Sequence, residues 1–474
     1  MRWRDRMLPV RMTRVAVVTP GWLLRDTLVE LADAGDVELD TLGDGRDTGP
    51  AGRVLRASGR TGTAAVLSAA PPDPAAWARD GRDDLLAGEA RLEERATDAV
   101  TRGDVSALIG WAPAAALDDV SARLESHGAA IVRLPRPPGQ DVPTLLPARG
   151  VRRAVAPLVG TYGTVPYADL DPTWPAWAAY VLMFGMMFGD AGHGLILLAA
   201  GLLLAAGRPA RLRRFRRAWP FVVGAGVTSI GFGLLYGEAF GPTGLVPTLW
   251  LNPMDAPVTL LVVAIGLGAV LLAVAYALGA VNRWREGGWP VVLYAPSGVA
   301  GAAVFLGVGL AAGALYLRSP PLAAAGGTLA AIGLALAFTG FISEAGGGGT
   351  GVVQAVVELF DLVIRLAANA VSFARLAAFG LTHAAIGWIV WQGTTGAWRH
   401  GGIYLPLAVV LFVVGNVLAF SLEALVAAVQ ALRLEYYELF SRIFAVEGRP
   451  FRPWRIPVVR PSEPTEEGAP CPSG

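Results

Sequence analysis

The sequence predicts an α-helical polytopic membrane protein, with about eight transmembrane helices of which the last two are long and tilted, and a small N-terminal α/β (α+β) cytoplasmic domain. Three observations predict it. The chain is 54% hydrophobic and only 16% charged, with a mean hydropathy of +0.49, too apolar for 474 residues to hide in a water-soluble core. From Trp174 onwards, long apolar segments alternate with short loops. Before about residue 165 the chain is instead charged and interrupted, and strand-like stretches alternate with helix-like ones.

In that first part, Arg14 to Thr19 is a β-branched run, Leu23 to Ala34 has helical periodicity, and Val37 to Leu42 alternates as a second strand would. Gly- and Pro-rich sequence follows. Ala75 to Val100 reads as a charged helix, Ala107 to Trp111 as a strand, Ala114 to Ser126 as a helix capped by Gly128, and Ala129 to Leu134 as a strand. Two β-α-β halves are expected. The expected domains are 1–165 (cytoplasmic), 166–445 (membrane) and 446–474 (a partly disordered cytoplasmic tail).

The apolar segments are 174–189, 192–207, 219–238, 257–281, 290–317, 321–343, 353–392 and 404–442. Most approach or exceed the ~20 residues that cross a ~30 Å hydrocarbon core. Arg208, Arg211, Arg213, Arg214, Arg216 and Arg217 crowd the loop after the second span, and Arg283 and Arg285 follow the fourth. Both loops fall on the side of the N-terminal domain and of Arg449, Arg452 and Arg455. The positive-inside rule makes that side cytoplasmic, with both termini, so the expected location is multi-pass in a bacterial plasma membrane. The last two segments each read as about 40 unbroken residues, ~60 Å of helix at 1.5 Å per residue, which must tilt, bend or extend into water. Gly393, Gly396, Gly401, Gly402 and Pro406 mark the turn of an antiparallel hairpin, with Pro406 suited to the first turn of the final helix.

Composition excludes several functions. The single cysteine, Cys471, lies in the Pro-rich tail, so no disulfide framework or cysteine-built metal site is available. No resident metal or cofactor is expected. All 39 basic residues are arginine, and a net charge of +1 gives no reason to expect nucleic acid. Without lysine the chain has no Gly-x-x-x-x-Gly-Lys-Ser/Thr loop, so it does not bind ATP in that way by itself. The run from Val15 to Leu24, broken by Pro20 and Gly21, is a poor secretory signal despite Arg2, Arg4, Arg6, Arg11 and Arg14 before it, and Met12 is a second possible start.

Ionisable groups inside membrane spans cost at least ~2.5–3.5 kcal/mol by insertion scales and mark pathways or paired sites by default. The last two spans hold Glu358, Asp361, Arg365, Arg375 and His383, then Glu423, Arg433, Glu435 and Glu438. Glu358, Arg365, Glu435 and Glu438 lie near the ends, where they either act or snorkel to the interface. Arg375 and His383 lie deeper. The bland alternative for Arg375 is a structural ion pair with Glu423. By topology, His383 and Glu423 lie on the outer side of Arg375 and Arg433, and Asp361 on the inner side. This is the arrangement of two half-channels separated by guanidinium groups, which cannot give up a proton at physiological pH.

The stretch Phe184-Gly-Met-Met-Phe-Gly-Asp-Ala-Gly-His-Gly194 with Leu-Ile-Leu-Leu after it, the stretch Ser372-Phe-Ala-Arg-Leu-Ala-Ala-Phe-Gly-Leu-Thr-His-Ala384, and Leu422 to Leu434 followed by Glu435-Tyr-Tyr-Glu438 and Phe451-Arg-Pro carry a resemblance. In this order, over about 300 residues, they resemble the a subunit of V-type ATPases, called subunit I in the archaeal and bacterial A/V-type rotary enzymes. The resemblance implies that Arg375 is the essential arginine facing a carboxylate on a rotating ring, with Arg433 as the second arginine and Gln430 one turn before it. It also implies that Glu423 and His383 belong to the outer half-channel with Asp190 nearby, and that Asp361 belongs to the inner one. His193, Glu238 and Glu344 are expected to be loop or interface residues.

The same resemblance implies proton or sodium translocation coupled to ATP hydrolysis or synthesis on other subunits. The implied partners are a c-ring of proteolipid subunits, peripheral stalk subunits, a central-stalk adaptor and the lipid bilayer. The sequence departs from the family in its cytoplasmic part, about 165 residues where members carry a far longer domain with a helical arm. A secondary ion transporter, or a non-conducting assembly or anchoring subunit, are the rival readings.

Overall fold

In the computed structural model the described residues are 8–460 apart from 42–47, 58, 60–63, 138, 148–150, 209 and 445–446. Arg2, Arg4, Arg6 and Cys471 lie outside them. The chain divides into two compact units, formed by the described residues of Val10–Leu145 with Arg449–Gly474, and of Met1–Pro9 with Leu146–Gly448.

The first unit is built on strands β1 (Met12–Pro20), β2 (Glu38–Leu39), β3 (Leu67–Ser68), β4 (Val100–Arg102), β5 (Val105–Pro113) and β6 (Ala130–Arg133). Its helices are α1 (Leu24–Ala34), α2 (Gly49–Ala57), α3 (Pro74–Arg79), α4 (Asp83–Ala96) and α5 (Leu117–Glu125). The main sheet has the order β2-β5-β1-β6, with β4 also on β5, and every pairing is antiparallel. Because β1 and β2 both oppose β5, they run parallel with β5 between them, and β5 and β6 likewise enclose β1. The two β-α-β halves are therefore interleaved as split units. Val15, Val17 and Leu108 of the sheet pack with Leu28 and Leu31 of α1 and Val120 and Leu124 of α5. The charged stretch read as one helix from Ala75 is two, α3 and α4, separated by Gly81 at φ +68°.

Residues 449–460 fold onto this unit. Strand β7 (Val458–Val459) adds parallel to β3. The Arg449 guanidinium binds the carboxylates of Glu38 and Asp40, and the Trp454 indole donates to the Leu28 carbonyl at 3.0 Å.

The second unit is helical throughout: α6 (Val151–Tyr162), α7 (Thr173–Met187), α8 (Ala191–Ala205), α9 (Trp219–Tyr236), α10 (Pro257–Tyr294), α11 (Val299–Tyr316), α12 (Pro320–Glu344), α13 (Gly348–Ser372), α14 (Ala374–His400) and α15 (Tyr404–Leu434). The last helix continues through a π-helical turn, Glu435–Phe440, and a short turn to Ile443. Four segments among the described residues are long and apolar enough to cross a membrane: Arg211–Tyr236, Pro257–Tyr294, Pro320–Glu344 and Tyr404–Ile443. Ala191–Ala205 and Val299–Leu315 are apolar but shorter.

Three expectations are corrected. The seventh apolar segment is not one unbroken helix, because α13 and α14 part at Phe373. The Phe373 ring is fully buried against Gly268 of α10, where a Cβ would come within 2.1 Å of it, and this contact pins the junction. The fourth helix does not end before Arg283 but runs on to a kink at Gly288 (φ 72°), and the fifth begins at Val299 rather than 290. The final turn is narrower than expected, since α14 passes through Gly393 and Gly396 and stops only at Gly401 (φ 68°).

α7 and α8, at 15 residues each, span only ~22 Å. They reverse at Phe188-Gly189-Asp190, deep in the bundle core. Asp190 is the N-cap of α8 and accepts from the backbone N–H of His193 (2.8 Å), Phe240 (3.0 Å) and Gly241 (2.9 Å). One carboxylate thus satisfies a helix start and ties down the loop after α9. α8 lies directly along α9, as Gly226 requires: a Cβ there would meet the Leu198 backbone nitrogen at 2.5 Å. Close approach of this kind is how membrane helices gain contact without a hydrophobic driving force.

The loop before α7 brings Asp169, fully buried, beside Glu286, Arg283 and Arg285 of α10. Leu170 N–H donates to the Asn282 side-chain oxygen at 3.0 Å, which closes the loop on the helix. Burial first, and then the neighbouring Glu286 carboxyl, push the Asp169 pKa up to about 7.

Two outcomes follow from these contacts. Asp190→Ala strands three buried donors, each of whose bonds to a charged group contributes about 1.5–3 kcal/mol, so the purified protein should lose several degrees of melting temperature in detergent, and Asp190→Asn less. For Asp169, the folded state holds its proton to higher pH than the unfolded chain. Stability is therefore lost as pH rises from about 4 towards 7. Asp169→Asn should flatten this fall and gain on the parent protein at pH 8, which thermal melts at pH 5 and pH 8 will measure.

Candidate functional site

Two clusters of ionisable residues lie along the α14–α15 hairpin. The first is built around the α7–α8 reversal. His383 of α14 and His193 of α8 are 5% and 2% exposed, and their ring centroids lie 5.9 Å apart. The His383 Nδ1 bonds the Glu423 carboxylate of α15. Phe188, Phe240 and Phe420 enclose the His193 ring at centroid distances of 5.7, 5.3 and 5.6 Å. His193 Nδ1 lies 3.8 Å from Asp190 Oδ1, and neither of its ring nitrogens makes a hydrogen bond of ordinary geometry. Glu238, 3% exposed, stands close enough to His383, Asp190 and Glu423 to feel their charges. A cavity of about 200 Å³, lined by His383, Glu423, Met187 and Thr382 among others, lies against the His383–Glu423 side of this cluster.

The second cluster lies about two turns away along α14, since Arg375 precedes His383 by eight residues or ~12 Å of helix. Arg375 is half-buried. It donates one N–H to Ser372 Oγ at 3.0 Å, and its other terminal nitrogen is buried without a partner. The Ser372 hydroxyl in turn donates to Glu438, which lies within electrostatic reach of both Arg375 and Arg433. Among the described residues Arg375 forms no direct salt bridge. Arg433 is exposed, and the side-chain oxygen of Gln430, one turn earlier, is buried without a partner. Asp361 is brought to neither cluster. It pairs with Arg365 at 2.7 Å on the exposed side of α13, both side chains being more than half exposed.

The ion pair of Arg375 with Glu423 does not form, because His383 takes the Glu423 carboxylate. The snorkelling alternative fails for Glu435 and Glu438, which are 0% and 6% exposed, and both Glu435 oxygens lack partners. Arg365 is more than half exposed and pairs with Asp361, and Glu344 is exposed at the end of α12. Glu238 lies in the loop after α9, as expected of a loop residue, but is buried beside the first cluster, whereas His193, expected in a loop or at the interface, is a buried residue of α8. The signal that could have found His193 is its place three residues after a helix N-cap, where an Asp190 that binds His193 N–H also faces its side chain.

Residues 100–253 match the model of the V-type ATPase 116kDa subunit family. The chain is 26% identical over 363 residues to the A-type ATP synthase subunit I of Pyrococcus horikoshii, covering 73% of this chain and 53% of that protein. It is 27% identical over 378 residues to the A-type ATP synthase subunit I of Aeropyrum pernix, with shares of 69% and 52%. To the V-type ATP synthase subunit I 2 of Treponema pallidum it is 33% identical over 152 residues, with shares of 30% and 34%. The chain spans about half the length of the first two. The matched segment contains the α7–α8 reversal with Asp190 and His193, and the two longer likenesses cover more than two thirds of this sequence. By sequence, then, the chain is similar to the V-type ATPase 116kDa subunit family over residues 100–253 and to subunit I of A-type ATP synthases over more than two thirds of its length.

Proposed function

We propose that the chain is the ion-conducting stator of an A/V-type rotary ATPase, and that Arg375 serves a carboxylate carried by a ring of small proteolipid subunits. The observation that carries this reading is the state of Arg375: half-buried, with a terminal nitrogen unpaired and no acid of the described chain bound directly to it. An arginine held so, in a membrane protein, has its partner elsewhere. The neighbouring face of α15 supports it, since Leu422, Leu425 and Val429 are more than half exposed and Arg433 is exposed beside them.

The mechanism follows from charge. An ion, proton or sodium, enters through an outer half-channel built from Glu423, His383 and Asp190 and neutralises a ring carboxylate, which then enters lipid. When that site returns, the Arg375 guanidinium favours the ionised carboxylate and expels the ion into an inner half-channel marked by Asp361. Arg433 and Gln430 extend the barrier on α15. Because a guanidinium keeps its protons, it blocks any relay between the halves. About eight crossings, with both termini on the cytoplasmic side, complete the reading; the first unit would meet peripheral stalks and the central-stalk adaptor there, and nucleotide chemistry belongs to other subunits.

Arg375→Ala and Arg375→Lys should each cut ATP-driven ion uptake into inverted vesicles by about 100-fold or more, since the barrier and its electrostatic term go together. Assembly, measured by co-purification of the ring proteins, should survive. Undiminished uptake in either variant would refute the assignment.

A further inference from the structure

We propose that Asp190, His193 and His383 form a binding site for a divalent transition-metal ion of the zinc class, taken from outside as an inhibitor rather than held as a cofactor. One ligand atom from each of the three lies within 4.8 Å of those of the others, and all three residues are buried. Two of the four histidines in the sequence meet here. Imidazole and carboxylate are the ligand types that zinc and its neighbours prefer.

The site has features beyond a chance meeting of polar groups. His193 is 2% exposed, neither of its ring nitrogens makes a hydrogen bond of ordinary geometry, and Nδ1 lies 3.8 Å from Asp190 Oδ1. The Asn416 side chain stands near the ring without forming a hydrogen bond of ordinary geometry, and a metal ion would give the buried imidazole a full partner. His383 is oriented by Glu423 through Nδ1, which leaves Nε2 to face a metal in the carboxylate–histidine–metal arrangement that fixes the ring and strengthens the ligand. The Asp190 carboxylate already accepts three backbone bonds, so it is held rigidly and keeps a lone pair for a fourth contact. With Glu423 engaged behind the His383 ring, a water molecule would complete the fourth position.

A tetrahedral zinc site sets its ligand atoms about 3.3 Å apart, so groups lying within 4.8 Å of one another must close by up to about 1.5 Å on binding. A cavity lies against His383, one of the three ligands. Ligation would pin His383 and Glu423, two groups of the outer half-channel, so metal should arrest transport; this second step rests on the function proposed above, whereas binding does not.

The test uses the full, tag-free chain in detergent, stripped of metal and titrated with Co²⁺ and then Zn²⁺. One Co²⁺ per chain with the intense visible bands of four-coordinate cobalt is expected, displaced by Zn²⁺. His193→Asn should weaken affinity at least ~tenfold, while His400→Asn, an exposed histidine elsewhere, should not. Absence of binding, or binding indifferent to His193→Asn, overturns the proposal. In vesicles, Zn²⁺ should slow ion uptake relative to each protein's own metal-free rate, and less so in His193→Asn. Binding without any slowing would uphold the site and count against the half-channel role of His383 instead.

Discussion

A charge withdrawn from water must find a counter-charge or a dense set of hydrogen bonds, and the helical unit is organised by how far that demand is met. Asp190 meets it fully, with three backbone donors at a helix start and a loop. Asp361 meets it with Arg365 on the surface of α13. Arg375 does not. Its one hydroxyl partner, Ser372, leaves a buried terminal nitrogen unbound, and the nearby Glu438 reaches it only through that hydroxyl. The residues that would carry function are those whose bonding the chain leaves incomplete.

Packing makes this incompleteness durable. Gly226 lets α8 press against α9, so the short α7–α8 hairpin is held at depth and presents Asp190 and His193 to α14 and α15. Phe373, packed on Gly268, marks the junction of α13 and α14 just before Arg375, with its backbone still in the right-handed helical region (φ −71°, ψ −13°). The arginine therefore opens a helix whose first turn is pinned to α10, and it is less free to swing towards a substitute partner than a residue in mid-helix of a free-standing hairpin. The two clusters stay ~12 Å apart because they share the rigid body of α14.

Much of this was legible in the sequence. Alternation and β-branching placed β1, α1, β5, α5 and β6 within a few residues, and the hairpin of the last two helices followed from its glycines. Arg375, His383 and Glu423 stood out because ionisable groups in apolar segments are rare. What could not be read depends on contacts distant in sequence. The junction at Phe373 needs Gly268, over a hundred residues earlier; the pairing of β7 with β3 joins Val458 to Leu67; and Glu238 and His193 enter the first cluster only through the reversal at Asp190. Glu435 looked like an end residue, yet the π-helical turn it opens carries it inward among Ala176, Ala179 and Leu439.

The central claim is that the exposed apolar face of α15 is occupied by helices of another protein. A photo-reactive benzophenone amino acid at Leu425, 64% exposed on that face, tests it in the membrane without relying on transport. Illumination should yield an adduct whose mass and peptide map identify a small proteolipid, joined near its membrane carboxylate. Adducts with lipid alone, or with a second copy of this chain, would contradict the account.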